Sequence, residues 1–271
     1  LGLGCTTSES IPQVVRYFAN MRVRLVGCSY YHSVVVCDND EVYTFGRNDF
    51  GQLGHGDTTD KKHPHRVDSL LGFTVATTAC GQYHTMFGTS KGSAYSCGKN
   101  DYGQLGVPKE DNCLEPTLIV SGALHETQAT DVRCGYYHSV ILCADGSVVA
   151  FGRNDYGQLG LGHTMARVTE PTVIDRLLGK GVVKVAAGCY HTVSVGRGGL
   201  LYVFGRNNHG QLGTGDNNER HTPFTVRTLA GKNIVSLAAG FYHTVVLTGG
   251  TDQDQNMNNM STSDSDMFAP S

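Results

Sequence analysis

Five histidines, each preceded by a tyrosine, are the side chains best suited to chemistry: His32, His84, His138, His191 and His243. Imidazoles ligate metals and move protons, so the recurring Tyr-His pair raises zinc binding first. The histidines fall 52, 54, 53 and 52 residues apart. Equivalent residues on separate repeat modules stand too far apart for a shared zinc, which needs about four bonds of roughly 2.0–2.1 Å. The reading they favour is a strand histidine hydrogen-bonded to the backbone of a neighbouring module, which satisfies a buried polar group. Nine cysteines form the second candidate set. They contain no C-x-x-C pair, and Cys28, Cys80 and Cys134 share a repeat position that Ala187 and Ala239 fill in other copies. Alternation with alanine reads as small buried filler rather than ligand or disulfide. An odd count without a pairing pattern suits a reducing compartment, cytosol or nucleus. No Ser-His-Asp or Cys-His nucleophile set and no P-loop stands out, so no catalytic residue, metal or cofactor is assigned.

The elements that carry these histidines are written four times over. YHSVVVCDNDEVYTFGRNDFGQLG begins at Tyr31, YHTMFGTSKGSAYSCGKNDYGQLG at Tyr83, YHSVILCADGSVVAFGRNDYGQLG at Tyr137 and YHTVSVGRGGLLYVFGRNNHGQLG at Tyr190. A fifth copy opens at Tyr242 and breaks off, and Leu1 to Gly4 look like the tail of another. From each of the first four histidines to the leucine of its GQLG (Leu53, Leu105, Leu159, Leu212) the distance is always 21 residues. Every one- or two-residue slip lies between that leucine and the next histidine. Packed strands hold their length and surface loops absorb insertions, so hairpins alternate with loops.

Each copy reads as four short strands in one order: a proline-led run (PTVI at 171), a run ending in a small residue and Gly (VVKVAAG from Val182), the Tyr-His strand, and an aromatic, β-branched strand (LYVFG from Leu201). Proline is acceptable at the start of such a strand. One four-stranded sheet cannot bury both faces; sheets fanned about an axis can. The expected fold is therefore all-β, a β-propeller of four-stranded blades over residues 1–250, with about five repeats present. Gly46, Gly98, Gly152 and Gly205 end the aromatic strand. Asn48, Asn100, Asn154 and Asn207 are placed to bond the following turn, Gln52, Gln104, Gln158 and Gln211 to tie it to a neighbouring strand, and the leucine to plug between blades. Ile11, Val14, Val15, Tyr17 and Phe18 suit either a short helix or an irregular strand.

Net charge is 21 − 24 = −3 with no basic stripe, which argues against a nucleic-acid partner. No apolar stretch reaches the roughly 18 residues of a membrane span. Residues 251–271 are polar and acidic, expected as a disordered tail or insertion, with Ser261 and Ser263 each three residues before an aspartate. The loops after GQLG differ between copies, and variable loops on a rigid scaffold are where recognition sits. Candidate partner-binding residues there are Asp57, Lys61, Lys62, Glu110, Asp111, Arg167, Glu170, Asp216, Glu219 and Arg220. They form a mixed-charge rim suited to a protein partner.

FGRNDYGQLGLG, with AAGCYHT ahead of the Tyr-His strand and a period near 50 residues, resembles the repeat of the regulator of chromosome condensation family, often called RCC1-like. The resemblance covers residues 1 to about 250 and implies a propeller, typically of seven blades, so this chain is either a five-bladed ring or part of a seven-bladed one. Two features depart from the family pattern: the aromatic-Gly pair is Phe-Gly or Cys97-Gly98, and tryptophan is absent. The resemblance implies an interaction scaffold, plausible within a large ubiquitin ligase, that recruits an adaptor or a substrate for ubiquitination. The alternative it implies is a guanine-nucleotide exchange factor acting on a small Ran-like GTPase. Without Trp, the ultraviolet sensing of the family's photoreceptor has no chromophore.

Overall fold

In the computed structural model, which describes residues 1–120, 122–124 and 127–249, almost all regular structure is antiparallel sheet. The acidic segment with Ser261 and Ser263 lies outside the described residues. The first sheet holds β1 (Val23–Cys28), β2 (His32–Cys37), β3 (Val42–Gly46) and β4 (Lys61–Arg66). The second holds β5 (Val75–Cys80), β6 (His84–Thr89), β7 (Ala94–Gly98) and β8 (Cys113–Leu118). The third holds β9 (Ala129–Cys134), β10 (His138–Cys143), β11 (Val148–Arg153) and β12 (Arg167–Val173), and the fourth β13 (Val182–Ala187), β14 (His191–Gly196), β15 (Leu201–Gly205) and β16 (Arg220–Val226). A fifth pair, β17 (Asn233–Ala239) and β18 (Thr244–Gly249), completes the described strands. Each full sheet is a meander with its strands in sequence order.

Successive first strands pack side by side, β1 on β5, β5 on β9, β9 on β13 and β13 on β17; no comparable packing links β17 to β1 among the described residues. These strands line the axis and the sheets fan outward from them, which is a propeller. The sequence pattern dictates this packing. In β10 (HSVILC) every residue is buried, because alternate side chains serve two different neighbouring sheets. Val34, Val36 and Val42 pack with Val75 and Phe87 of the second sheet, and Met86 and Ala94 with Ile141, Val149 and Phe151 of the third. The outward face of the first sheet, with Tyr43 and Phe45, is covered by Phe18 and Met21. The N-terminal apolar stretch that sequence left between helix and strand is a 3₁₀ turn at Arg16–Phe18.

One expectation needs correction. The proline-led run does not open a sheet; it closes the sheet begun by the preceding copy. Pro64, Pro116, Pro171 and Pro223 lie inside β4, β8, β12 and β16, the outer edge strands. Each falls where the ladder to the third strand slips: between the pairs Thr44↔His65 and Gly46↔Lys61 for Pro64, and at the corresponding place in the other three. A proline has no N–H to donate, so an edge strand with a bulge is the place in a sheet that tolerates it.

The leucine plugs behave as expected. Leu53, Leu105 and Leu159 are fully buried and Leu212 nearly so. The glycine that follows each of the first three plugs lies against the next sheet: a Cβ on Gly54 would stand 3.0 Å from Pro116, one on Gly106 2.7 Å from the ring of Phe151, and one on Gly160 2.9 Å from that of Phe204. Gly2 meets Phe45 in the same way, at 2.9 Å, and Gly4 donates its N–H to Lys62 O (3.0 Å) as Gly56 does to Leu114 O. Gly2 and Gly4 are thus seated on the first sheet as Gly160 and Gly162 are on the fourth, although Leu1, at the plug position, is 65% exposed.

Two measurements follow from this packing. Leu159→Ala should lower unfolding free energy by about 3–5 kcal/mol, because it leaves a cavity at the seam between sheets. A loss under about 1 kcal/mol in denaturant titration would contradict the plug. Gly152 has φ +105 and its Cβ would stand 2.5 Å from Tyr137 O, whereas Gly72 has φ +84 with nothing within 4 Å. Gly152→Ala should therefore cost clearly more stability than Gly72→Ala, in which only the backbone strain operates.

Candidate protein-interaction face

Every Tyr-His pair and every turn that follows the third strand lie at one end of the sheets. The register shows it: His32 pairs Gly46, Gly46 pairs Lys61, and Arg47 N donates to Tyr31 O. Four of the five histidines bond a side chain of the next sheet rather than its backbone, whereas His243 is exposed. His32 Nε2 lies 2.7 Å from Thr85 Oγ1, His84 Nε2 3.0 Å from Ser139 Oγ, His138 Nε2 3.0 Å from Thr192 Oγ1 and His191 Nε2 2.9 Å from Thr244 Oγ1. Each of those hydroxyls donates its hydrogen to the carbonyl of a turn glutamine: Gln52, Gln104, Gln158 and Gln211 respectively. A hydroxyl has one hydrogen, so it must accept from the imidazole, which fixes the Nε2–H tautomer. The rings of His84, His138 and His191 lie against Gly81, Gly135 and Gly188, where a Cβ would stand 2.0–2.2 Å from the imidazole Cε1. Burial pushes His32, His84 and His138 down to about 3, and His191 to about 4, so these histidines are neutral at physiological pH. Among the described residues no cluster of three or more His, Cys, Asp or Glu is arranged to hold a metal.

The turns also match their letters, with one change. Asn48 Oδ1 accepts from Leu53 N (2.9 Å) while its Nδ2 donates to Asp57 O (2.9 Å). Gln52 crosses to the neighbouring sheet through its backbone carbonyl; its side-chain Oε1 caps Phe50 N at 3.0 Å. The cysteines differ more. All nine are free thiols, yet Cys28 is exposed and Cys80 and Cys134 are half-buried around an axial cavity of about 380 Å³. Tyr30, Tyr136 and Phe241 meet over that cavity with ring centroids 5.7–6.3 Å apart.

The loop residues chosen from sequence mostly neutralise one another. Lys61 Nζ reaches Asp57 at 2.8 Å and holds its carboxyl below the ordinary value; Arg220 reaches Asp216 at 2.6 Å. Asp216 is held low first by the backbone N–H of Asn218. Arg167 meets Glu110 across modules at 3.3 Å, and Glu219 lies 3.5 Å from His221. Lys62, Asp111 and Glu170 are exposed and have no ion pair among the described residues. These pairs organise the loops; exposed ion pairs contribute roughly 0–1 kcal/mol each.

Sequence reasoning missed the layer between loops and axis. The tyrosine of each Tyr-His pair, the cation after the third strand and the aromatic three residues later interleave. Arg47 lies 4.9 Å from the Tyr31 ring and 5.5 Å from Tyr83; Lys99 is 4.6 Å from Phe50 and 5.6 Å from Tyr83. Arg153 is 4.9 Å from Tyr102 and 5.7 Å from both Tyr137 and Tyr190. Arg206 repeats the pattern with Tyr156, Tyr190 and Tyr242. Tyr31 stacks on Tyr83 at 5.4 Å. The signal in the letters is a cation three residues before an aromatic in every copy, Arg47-Phe50, Lys99-Tyr102, Arg153-Tyr156 and Arg206-His209. The face is thus an aromatic surface studded with cations and rimmed by loops in which Lys61, Arg167 and Arg220 are paired with carboxylates. Tyrosine and arginine in this combination are the residue types that dominate protein interfaces.

A meander of four strands repeated about an axis, with a plug passed between sheets, defines a propeller of the RCC1 type. The chain belongs to the RCC1-like domain family, whose model matches residues 1–246. It is 39% identical over 251 residues to the human probable E3 ubiquitin-protein ligase HERC4, which covers 92% of this chain and 23% of that protein. Against human E3 ubiquitin-protein ligase HERC2 it is 34% identical over 239 residues, 88% of this chain and 5% of that one. The Saccharomyces cerevisiae Prp20p structure superposes with TM-score 0.75 at 20% identity, over 90% of this chain and 60% of Prp20p, and shows the shared fold. The chain therefore spans a small part of the ligases it matches.

The buried imidazoles set an acid limit. Their folded-state values lie below the ordinary 6.5, so between about pH 6.5 and pH 3–4 only the unfolded chain takes up these protons. Stability is full above that window and falls as pH drops through it, by at most about 1.4 kcal/mol per pH unit for each histidine. His138→Gln should flatten the pH dependence of the urea midpoint between pH 6.5 and 4. An unchanged slope would show that this ring is not the titrating group.

Proposed function

We propose that this chain is a non-catalytic protein-interaction propeller that recruits a substrate or adaptor to a ubiquitin ligase through its aromatic and cationic face. The observation that carries the reading is the ladder from Tyr31 to Tyr242, because rings and cations held rigidly on one surface need little ordering when a partner docks. The family resemblance and the ligase relatives supply the setting. The opposite end carries short turns such as Asp38-Asn39-Asp40 and the 3₁₀ turns, where the aromatic contacts among the described residues are the separate groups Tyr17–Phe18–Tyr43 and Phe73–Tyr95, with no cation interleaved.

The test places a photoreactive phenylalanine analogue at position 31 or position 39 of the full-length protein in cells. Adducts to discrete partner proteins are expected from position 31 and absent from position 39. Adducts from position 39 alone would overturn the reading. GDP release from a panel of small GTPases should change by less than about twofold with the isolated domain. Acceleration by tens of fold would replace the scaffold with the exchange-factor reading.

A further inference from the structure

Each cation of the ladder except one has its counter-ion built in. Asp49 accepts from Arg47, Asp101 lies 2.8 Å from Lys99 and Asp155 accepts from Arg153, each carboxylate standing two residues after its cation. In the fourth copy that position is Asn208, and the aromatic that follows is His209. Arg206 has no ion pair and no side-chain hydrogen bond among the described residues. It is still held like the others, 4.8 Å from the Tyr156 ring and 5.7 Å from Tyr190 and Tyr242. Asn208 and His209 are exposed, and Tyr242 is 40% exposed. Of the carboxylates in the adjoining loop, Asp216 is engaged by Arg220, and Glu219 lies 3.5 Å from His221.

Building on the recruitment reading, we infer that the Arg206 corner binds a carboxylate side chain of a partner peptide, supplied in trans where the other modules carry their own aspartate. The guanidinium is ordered in advance by three rings, so a carboxylate gains a two-pronged hydrogen bond at little entropic cost. The surrounding surface defines the neighbours of that acid. His209 stacks near Tyr242 with ring centroids 4.6 Å apart, and Phe241 packs on Tyr242 at 4.3 Å. The partner sequence is therefore an aspartate or glutamate beside an apolar or aromatic residue. A phosphate backbone fits the site less well, because the other ladder cations are neutralised and the chain carries net charge −3.

The test is a phage-displayed library of 12-residue peptides panned on the chain. Selected peptides should be enriched in Asp or Glu at one register next to an apolar residue. Their synthetic versions should bind Asn208→Asp at least tenfold more weakly, since that substitution restores the internal counter-ion used by the other modules. Arg206→Ala should lose binding similarly, and Lys180→Ala, exposed on the turn after the fourth sheet's neighbour, should not. Should Arg206→Ala fail to fold, Asn208→Asp alone decides. The inference is overturned if no peptide is selected, if the selected peptides lack acidic residues, or if they bind Asn208→Asp as well as the parent. Binding of a 20-mer oligonucleotide that Asn208→Asp abolishes would also overturn it in favour of phosphate. Partner adducts from position 31 that persist in Asn208→Asp, alongside a failed selection, would leave the recruitment reading standing and remove only the Arg206 corner.

Discussion

The fold depends on a hydroxyl that serves two modules at once. Thr85, Ser139, Thr192 and Thr244 each donate to the turn glutamine of the preceding copy and accept from its histidine. Without the hydroxyl, a carbonyl and an imidazole N–H would be buried and unpaired, each at a cost of roughly 1–3 kcal/mol. With it, the leucine plug is driven into the seam and its turn is fixed in register. Gly81, Gly135 and Gly188 follow from the same demand, since a Cβ there would meet the imidazole, whereas in the first copy Ser29 holds that place and its Oγ bonds His32 Nδ1 at 2.9 Å.

That seam explains how far the letters could be read. The constant distance of 21 residues from histidine to leucine is the span between the two ends of one seam, so repeat length, strand count and plug were all visible. The membership of the proline strand was not. Sequence order puts PTVI ahead of the next copy's strands, and only the pairing of Gly205 with Arg220 and of Gly46 with Lys61 shows which sheet it joins. The proline itself held the clue, because a bulged outer edge is where its missing N–H does least harm.

The binding face was half legible for a different reason. Charged loop residues attract attention in a sequence, yet Asp57, Lys61, Asp216 and Arg220 close on themselves, four residues apart. Tyrosines and arginines inside the repeat look architectural because every copy has them. Their convergence on one face needs three dimensions: Arg153 touches rings from the second, third and fourth copies. The departure that matters, Asn208, is a single atom exchange in a four-letter turn.

The displaced proline strand carries one more consequence. Units of sequence and units of sheet are out of phase by one strand, so a stretch running from one proline to the next straddles two blades. Such a stretch is no foldable piece in isolation. Spliced into a related gene, however, it would bring both halves of two seams and tie neighbouring blades together covalently at each junction. Lengthening a wheel of this kind by duplication then requires no new interface, because the stitch arrives with the cloth.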